Sequence, residues 1–277
     1  MRPALVVRRA AEYLERHDVD APLPTAERLL IDVLGTDRAG LYRREEPLRG
    51  IEARAFGQAL CRRCAGVPTQ HLTGEAGFRR LSLTVRPGVF VPRPETEVVV
   101  DAALETLRSR RRPVVVDVGT GTGAIALALK QERPDATVWA VDRSPEAIEL
   151  AEENALRTGL EIRLVRSDLL TGLDDAAVGR IDLVVSNPPY IEPHRFASLP
   201  AEVRADPTEA LVGGPAVYAS LFSQAAARLE SGGAVVVEID EEQAATVSKA
   251  AADAGAVKTS VRSDLTGRDR VIVATWP

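Results

Sequence analysis

The chain has 277 residues, enough for one large domain or two modest ones, and its 45% hydrophobic and 27% charged content excludes disordered, collagen-like and disulfide-scaffold classes. Thirty-five basic residues against 40 acidic ones leave a net charge of −5, so the chain as a whole lacks the basic footprint of a nucleic-acid binder. Met1 to Arg9 contains no apolar run of signal-peptide length, and no run of about 18 apolar residues occurs anywhere, so a cytoplasmic protein without a membrane span is expected. Aromatics make up only 4%, which leaves the core to Ala, Val, Leu and Ile. Cys61 and Cys64 have no second cysteine pair, and His17, His71 and His194 are scattered; the cysteines are read as ordinary helix residues and no metal site is expected.

Residues 1–73 read as a small helical domain. Arg8 to Arg16, Thr25 to Leu34 and Ile51 to Cys64 carry apolar residues at three- and four-residue spacing, with Thr25 a candidate N-cap. Residues 1–80 hold 14 Arg against 11 acids, a net of +3 that leaves −8 for the remainder, an asymmetry that reads as a solvated surface or, more sharply, as a docking face for an acidic partner. Over 74–91 the pattern changes to a β-hairpin, with Leu81 to Val85 as one strand, Gly88 to Val91 as the other and Arg86-Pro87 between them. In Pro92-Arg93-Pro94-Glu95-Thr96-Glu97 the prolines fix an extended turn, and the acids suit the first turn of a helix over about 95–109.

From Pro113 onward short apolar strands alternate with helices. Strands are expected at Val114 to Val116, Thr137 to Val141, Ile162 to Val165, Ile181 to Ser186 and Ala234 to Ile239, as parallel strands covered on both faces. Helices are expected at Ala124 to Lys130, Pro145 to Arg157, and near 216–229 and 241–254. The last two strands, near 257–262 and 270–275, are too close for a crossover helix, so that pair is expected to be antiparallel. The result is an α/β, Rossmann-like, seven-stranded sheet with one antiparallel strand, over residues 92–277.

Four constellations stand at strand ends. Asp117-Val118-Gly119-Thr120-Gly121-Thr122-Gly123 is a glycine loop opening a helix, where free N–H groups and the dipole meet a ligand. Its spacing is not that of a dinucleotide loop, and Asp117 at its entrance would repel a pyrophosphate but attract an ammonium group. Asp142, about 20 residues on, is placed to accept from ribose hydroxyls, with the alternative that it caps the next helix, a role that suits Ser144 better. Asp168-Leu169 could accept from an adenine amine and cover the ring. A ligand with an amine, a ribose and an adenine is S-adenosylmethionine.

The fourth is Asn187-Pro188-Pro189-Tyr190. Pro188 biases Asn187 to extended geometry, carrying its side chain outward into the crevice. A planar amide or aryl amine could donate one hydrogen to the Asn187 oxygen and the other to the Pro188 carbonyl, with Tyr190 over its plane. Such acceptors gain strength as positive charge builds on the nitrogen.

These residues resemble the class I S-adenosylmethionine-dependent methyltransferases, and specifically the protein-(glutamine-N5) methyltransferases of peptide chain release factors. The resemblance covers essentially the whole chain, through Pro68 to Glu75, Val91 to Glu97, the glycine loop and Asn187 to Ile191. It implies a cofactor site at Asp117, Gly119, Thr120, Gly121, Thr122, Gly123, Asp142, Asp168, Leu169 and Asn187. It also implies that Asn187, Pro188, Pro189 and Tyr190 hold the glutamine of a Gly-Gly-Gln motif, with Asn187, Pro188 and Tyr190 serving the chemistry and the helical domain docking the release factor. The chain departs from the family pattern at His71, Asp206 and Asp240. Alternatives are an amino methyltransferase of adenine or cytosine, which the −8 balance and scarce aromatics disfavour, a relative acting on a glutamine of another protein, and a non-catalytic binding module.

Overall fold

The computed structural model describes all of residues 1–277. The chain divides into two compact units, one of residues 1–75 with 200–205, the other of 76–199 with 206–277. No helix is long and apolar enough to cross a membrane.

The first unit holds α1 (Pro3–Glu15), α2 (Pro22–Leu34), α3 (Arg38–Arg43), α4 (Gly50–Cys64) and α5 (Thr69–Thr73). Val7, Leu14, Leu29, Leu30, Leu41 and Phe56 form its core, drawn from the apolar faces that the periodicity marks. Two expectations need correction. Thr25 is not an N-cap: α2 begins at Pro22, because proline suits the first turn, and Ala21 before it takes a left-handed φ of 47°. The short α3 carries no apolar period and is started instead by Asp37, whose carboxylate accepts from the Gly40 N–H at 2.6 Å. Residues 200–205 join this unit through Glu202, which pairs with the buried guanidinium of Arg63.

The second unit opens, from Ala76 on, with the hairpin of β1 (Glu75–Phe78) and β2 (Leu81–Thr84), then a 3₁₀ turn over Pro94–Thr96 and α6 (Glu97–Thr106). The hairpin lies earlier than the sequence suggests, and Gly88 to Val91 is not a strand. Arg79 turns the chain with a left-handed φ of 51°. It is held there by Glu97, which accepts its N–H at 2.8 Å, and by Asp101 and Glu132, which take its guanidinium at 2.7 and 2.5 Å. Val91 spends its N–H on the Asp206 carboxylate at 3.2 Å, while Val89 packs on Ala147 and Leu150.

The remainder alternates β3 (Val114–Val118), α7 (Ala124–Glu132), β4 (Thr137–Asp142), α8 (Pro145–Thr158), β5 (Arg163–Arg166), α9 (Asp175–Val178), β6 (Ile181–Ser186), α10 (Thr208–Leu211), α11 (Ala216–Ala226), β7 (Leu229–Glu238), α12 (Ala244–Asp253), β8 (Lys258–Ser263) and β9 (Asp269–Thr275). The sheet order is β5-β4-β3-β6-β7-β9-β8, with β9 antiparallel to both neighbours and all other pairs parallel, as the spacing of the last two strands requires. Continuous apolar strands follow from burial on both faces. Leu183, Val185, Ala234 and Val236 pack toward α6 and α7, whereas Val184, Val235 and Val237 pack toward α11 and α12. Three of the scarce aromatics, Tyr218, Phe222 and Trp276, fill the second face, with ring centroids 6.4 and 6.0 Å apart along the series. The chain reverses its winding between β3 and β6, and in such sheets ligands bind outside the carboxyl ends of the strands at that point.

Candidate active site

The carboxyl ends of β3, β4, β5 and β6 bring the candidate residues together. Val118 pairs with Ser186 at the ends of β3 and β6, and the buried Ser186 hydroxyl donates to the Val118 carbonyl at 2.7 Å. The glycine loop and the Asn-Pro-Pro-Tyr segment therefore leave the sheet side by side.

Within the loop, Gly119 has a φ of 73° and faces open space where a Cβ would stand, leaving its backbone bare on the crevice side. Gly123, at a φ of 82°, starts α7, and a side chain there would meet Leu127 at 3.2 Å and Ala151 at 3.3 Å. Asp117 is completely buried. One carboxyl oxygen accepts from the Thr120 hydroxyl at 2.7 Å and the Ala126 N–H at 3.2 Å, while the other, Oδ1, has no partner in the chain. Burial pushes this carboxyl up to about 7, because the hydrogen bonds offset only part of the lost hydration.

Asp142, at the end of β4, braces two loops: its Oδ2 accepts from the Gly121 N–H and its Oδ1 from the Ser144 N–H, each at 2.9 Å. The cap of α8 is Ser144, which accepts from the Ala147 N–H at 3.1 Å. After β5, Leu169 holds a left-handed φ of 50°, uncommon for a branched side chain. Ser167 keeps it there, donating to the Leu169 carbonyl and accepting from the Gly172 N–H, each at 2.8 Å. The Asp168 side chain is exposed beside it.

After β6 the ladder stops at Ser186, so the carbonyls of Asn187 and Pro188 lie beyond it. Asn187 donates from Nδ2 to Thr96 Oγ1 at 3.0 Å, which turns its Oδ1 the other way. The Tyr190 hydroxyl donates to Glu238 Oε1 at 3.2 Å, and its carbonyl accepts from Gln243 Nε2 at 3.0 Å. Glu238 is buried at the end of β7, its Oε2 has no partner, and burial pushes it up to about 7. Burial likewise raises the Tyr190 phenol, which keeps it protonated.

The sequence reading missed Thr96, Asn154 and Glu238. Asn154, fully buried on α8, accepts from the Thr84 N–H at 2.7 Å and donates to the carbonyls of Thr84 and Thr122, each at 3.0 Å, tying the hairpin to the glycine loop. Glu238 had a visible signal, an acid inside the apolar run Val235-Val236-Val237-Glu238-Ile239.

The residues present fit S-adenosylmethionine: an orphaned carboxyl oxygen for an ammonium group, a bare glycine backbone beside it, and an acid after β4. The fold and this strand-end arrangement are those of an S-adenosylmethionine-dependent methyltransferase. Two family models match, Methyltransferase small domain over residues 80–250 and PrmC N-terminal domain over residues 6–74. A release factor glutamine methyltransferase of Deinococcus radiodurans is 44% identical, covering 96% of this chain and 95% of its own, and one of Moorella thermoacetica is 41% identical with the same coverage. In fold alone the chain is similar to the 16S rRNA methyltransferase of T. Thermophilus in complex with AdoMet and guanosine, at 21% identity and a TM-score of 0.55 over 73% of this chain and 50% of that one. The chain belongs to the release factor glutamine methyltransferase family.

Proposed function

We propose that this protein methylates the side-chain amide nitrogen of the glutamine in the Gly-Gly-Gln motif of a peptide chain release factor, with S-adenosylmethionine as methyl donor. The observation that carries the reading is Asn187, held by Thr96 so that Oδ1 rather than Nδ2 is presented, at the strand end adjoining the glycine loop.

The cofactor would be held by Asp117 at its ammonium group, by Gly119, Thr120, Gly121, Thr122 and Gly123 along the loop, by Asp142 at the ribose, and by Asp168 and Leu169 at the adenine. When bound, it supplies a methyl group on a positively charged sulfur. Asn187 Oδ1 and the Pro188 carbonyl accept the two hydrogens of the substrate amide, which fixes the plane of its nitrogen; alignment of this kind can lower a barrier by up to about 7–11 kcal/mol. An amide nitrogen is a weak nucleophile. As the N–C bond forms and the bond from sulfur to the methyl breaks, leaving a neutral thioether, the amide hydrogens become more acidic, so both acceptors would bind more strongly at the transition state than before it, and one of the hydrogens is then lost to water as a proton. Pro189 stiffens the turn and Tyr190 bounds the pocket with its ring.

The helical unit is the candidate docking surface for the protein substrate; together with the hairpin arginines Arg79 and Arg80 it makes up residues 1–80, which carry a net of +3 while the rest of the chain carries −8. The same division argues against a phosphate backbone as substrate, and a release-factor substrate implies a cytoplasmic enzyme. Intact-mass measurement of release factors after incubation with enzyme and cofactor tests the reading. A gain of one methyl is expected, and none on a Gly-Gly-Ala variant. Label appearing in RNA or DNA instead would replace it with the nucleic-acid reading.

A further inference from the structure

We propose that Gln243 is a positioning residue for methyl transfer, holding the main chain of Tyr190 so that its ring stays fixed along the wall of the glutamine pocket. The proposal deepens the function proposed above and rests on it for its kinetic readout.

The Asn-Pro-Pro-Tyr segment has one free joint. Pro188 and Pro189 lock φ at both positions. Beyond Tyr190 the chain is tied again, where the Ile191 N–H donates to the Leu211 carbonyl at 2.9 Å and the Ile191 carbonyl accepts from the Gly213 N–H at 3.1 Å. Tyr190 lies between these ties. Its hydroxyl donates to Glu238 Oε1 at 3.2 Å, which fixes the tip of the ring but lets the main chain pivot about that tip. The second hold is at the other end of the residue, where Gln243 Nε2 donates to the Tyr190 carbonyl at 3.0 Å. With tip and carbonyl both held, the ring cannot swing.

Gln243 is itself fixed in place and in orientation. Its N–H donates to the Asp240 carbonyl and its carbonyl accepts from the Val247 N–H, each at 2.9 Å, so its backbone sits at the start of α12. Its side chain makes no cap bond to that helix. Instead Oε1 accepts from the Asp240 N–H at 3.3 Å, and the Tyr218 hydroxyl lies at 3.3 Å from the same oxygen. Exchanging oxygen and nitrogen would set a donor against the Asp240 N–H and an acceptor against the Tyr190 carbonyl. Both neighbours are backbone groups whose polarity cannot change, so they alone decide which way the amide points. A carboxylate of the same length satisfies one of them, and a thioether neither.

The kinetic consequence follows from what Tyr190 touches. Its ring bounds the pocket in which Asn187 Oδ1 and the Pro188 carbonyl align the substrate amide, whereas the cofactor is held by the glycine loop, Asp142, Asp168 and Leu169. A displaced ring therefore spoils alignment at the transition state and leaves both docking of the release factor and cofactor binding nearly intact.

The test compares wild type, Gln243→Met, Gln243→Glu, Tyr190→Ala and the double variant of Tyr190→Ala with Gln243→Met, reading kcat and KM for release factor. Melting temperature and calorimetric cofactor affinity serve as folding controls; Gln243 is only partly buried, and both of its substitutions are expected to fold. Gln243→Met is expected to lower kcat about tenfold, and Gln243→Glu by more because it sets an oxygen against the Tyr190 carbonyl, with KM and cofactor affinity changed by less than about threefold. In the Tyr190→Ala background Gln243→Met is expected to cost less than about twofold further. Unchanged kcat in both Gln243 variants, a loss that appears in KM or cofactor affinity instead, or an undiminished loss in the Tyr190→Ala background overturns the proposal. Should wild type leave release factors unmethylated, the function reading fails by itself. The positioning role is then judged by the ring resonances of Tyr190 in protein labelled at its four tyrosines and assigned with Tyr190→Phe. They are expected to shift in Gln243→Met while those of Tyr13 and Tyr42 hold; an unmoved Tyr190 signal overturns it.

Discussion

Arg93 and Asp206, separated by 113 positions, meet at 2.5 Å between Nη2 and Oδ2, with the Asp206 side chain completely buried. Asp206 also accepts the Val91 N–H, so one carboxylate fixes both the start of the Pro-Arg-Pro-Glu-Thr-Glu stretch and the return of the chain from residues 200–205. The departure from the family pattern at this position is therefore structurally engaged. Removing one member of a buried ion pair leaves an uncompensated charge, so Asp206→Ala is expected to destabilise the protein by about 3–5 kcal/mol in urea unfolding, and Asp206→Asn, which keeps an acceptor, by less.

Asn154→Ala removes three hydrogen bonds to backbone groups in a site closed to water. A loss of about 3 kcal/mol is expected, because the Thr84 and Thr122 groups are left without partners. Since Thr122 belongs to the glycine loop, calorimetry should also show weaker cofactor binding. A stability loss with unchanged affinity would confine Asn154 to the hairpin.

Asp117→Asn keeps the acceptor that serves Thr120 and Ala126 but removes the buried charge. The free protein at pH 8 is expected to melt at a higher temperature than wild type, whereas S-adenosylmethionine, which loses the anion facing its ammonium group, is expected to bind at least tenfold more weakly.

Asp117 and Glu238 both sit near 7 in the folded protein, above ordinary carboxyl values near 4. Between those values the folded state holds protons that the unfolded state has released, so these groups make stability fall as pH rises from about 4 to 7 and then level off. Glu52 and Asp135 act in the opposite sense, held down to about 2 chiefly by Arg44 and Arg133. Their contribution disappears only as pH drops from about 4 toward 2, outside the first window. Melting curves without cofactor should therefore decline between pH 5 and 7, and less steeply in Asp117→Asn.

Asn187→Ala deletes the presented acceptor. Methyl transfer is expected to fall by about 10²–10³ while cofactor affinity changes much less, measured as kcat beside a calorimetric Kd. Wild-type turnover in that variant would remove Asn187 from the chemistry.

The parallel strands were legible because burial on both faces leaves continuous runs such as Val114 to Val116 and Val235 to Val237, and the strand-end motifs follow directly from those runs. The hairpin was legible in its existence and in the strand from Leu81, but its turn was not, since the turn at Arg79 is chosen by Glu97, Asp101 and Glu132, residues that local alternation does not report. The same holds within the site. Asn187 and Tyr190 can be found from their tetrapeptide, but the side chains that orient them lie 91 and 48 positions away, at Thr96 and Glu238. Short α3 escaped because its start depends on the Asp37 cap rather than on an apolar stripe.

The helical unit is not a continuous stretch of chain. Glu202, the anion beside the buried Arg63 guanidinium, arrives on residues 200–205, more than a hundred positions downstream. A gene fragment ending near residue 75 thus encodes a unit with a hole in its charge balance, and loss of release-factor binding by such a fragment would conflate a missing surface with a damaged fold. Grafting the six-residue segment back through a flexible tether, or silencing Arg63 with a neutral side chain of similar length, separates the two.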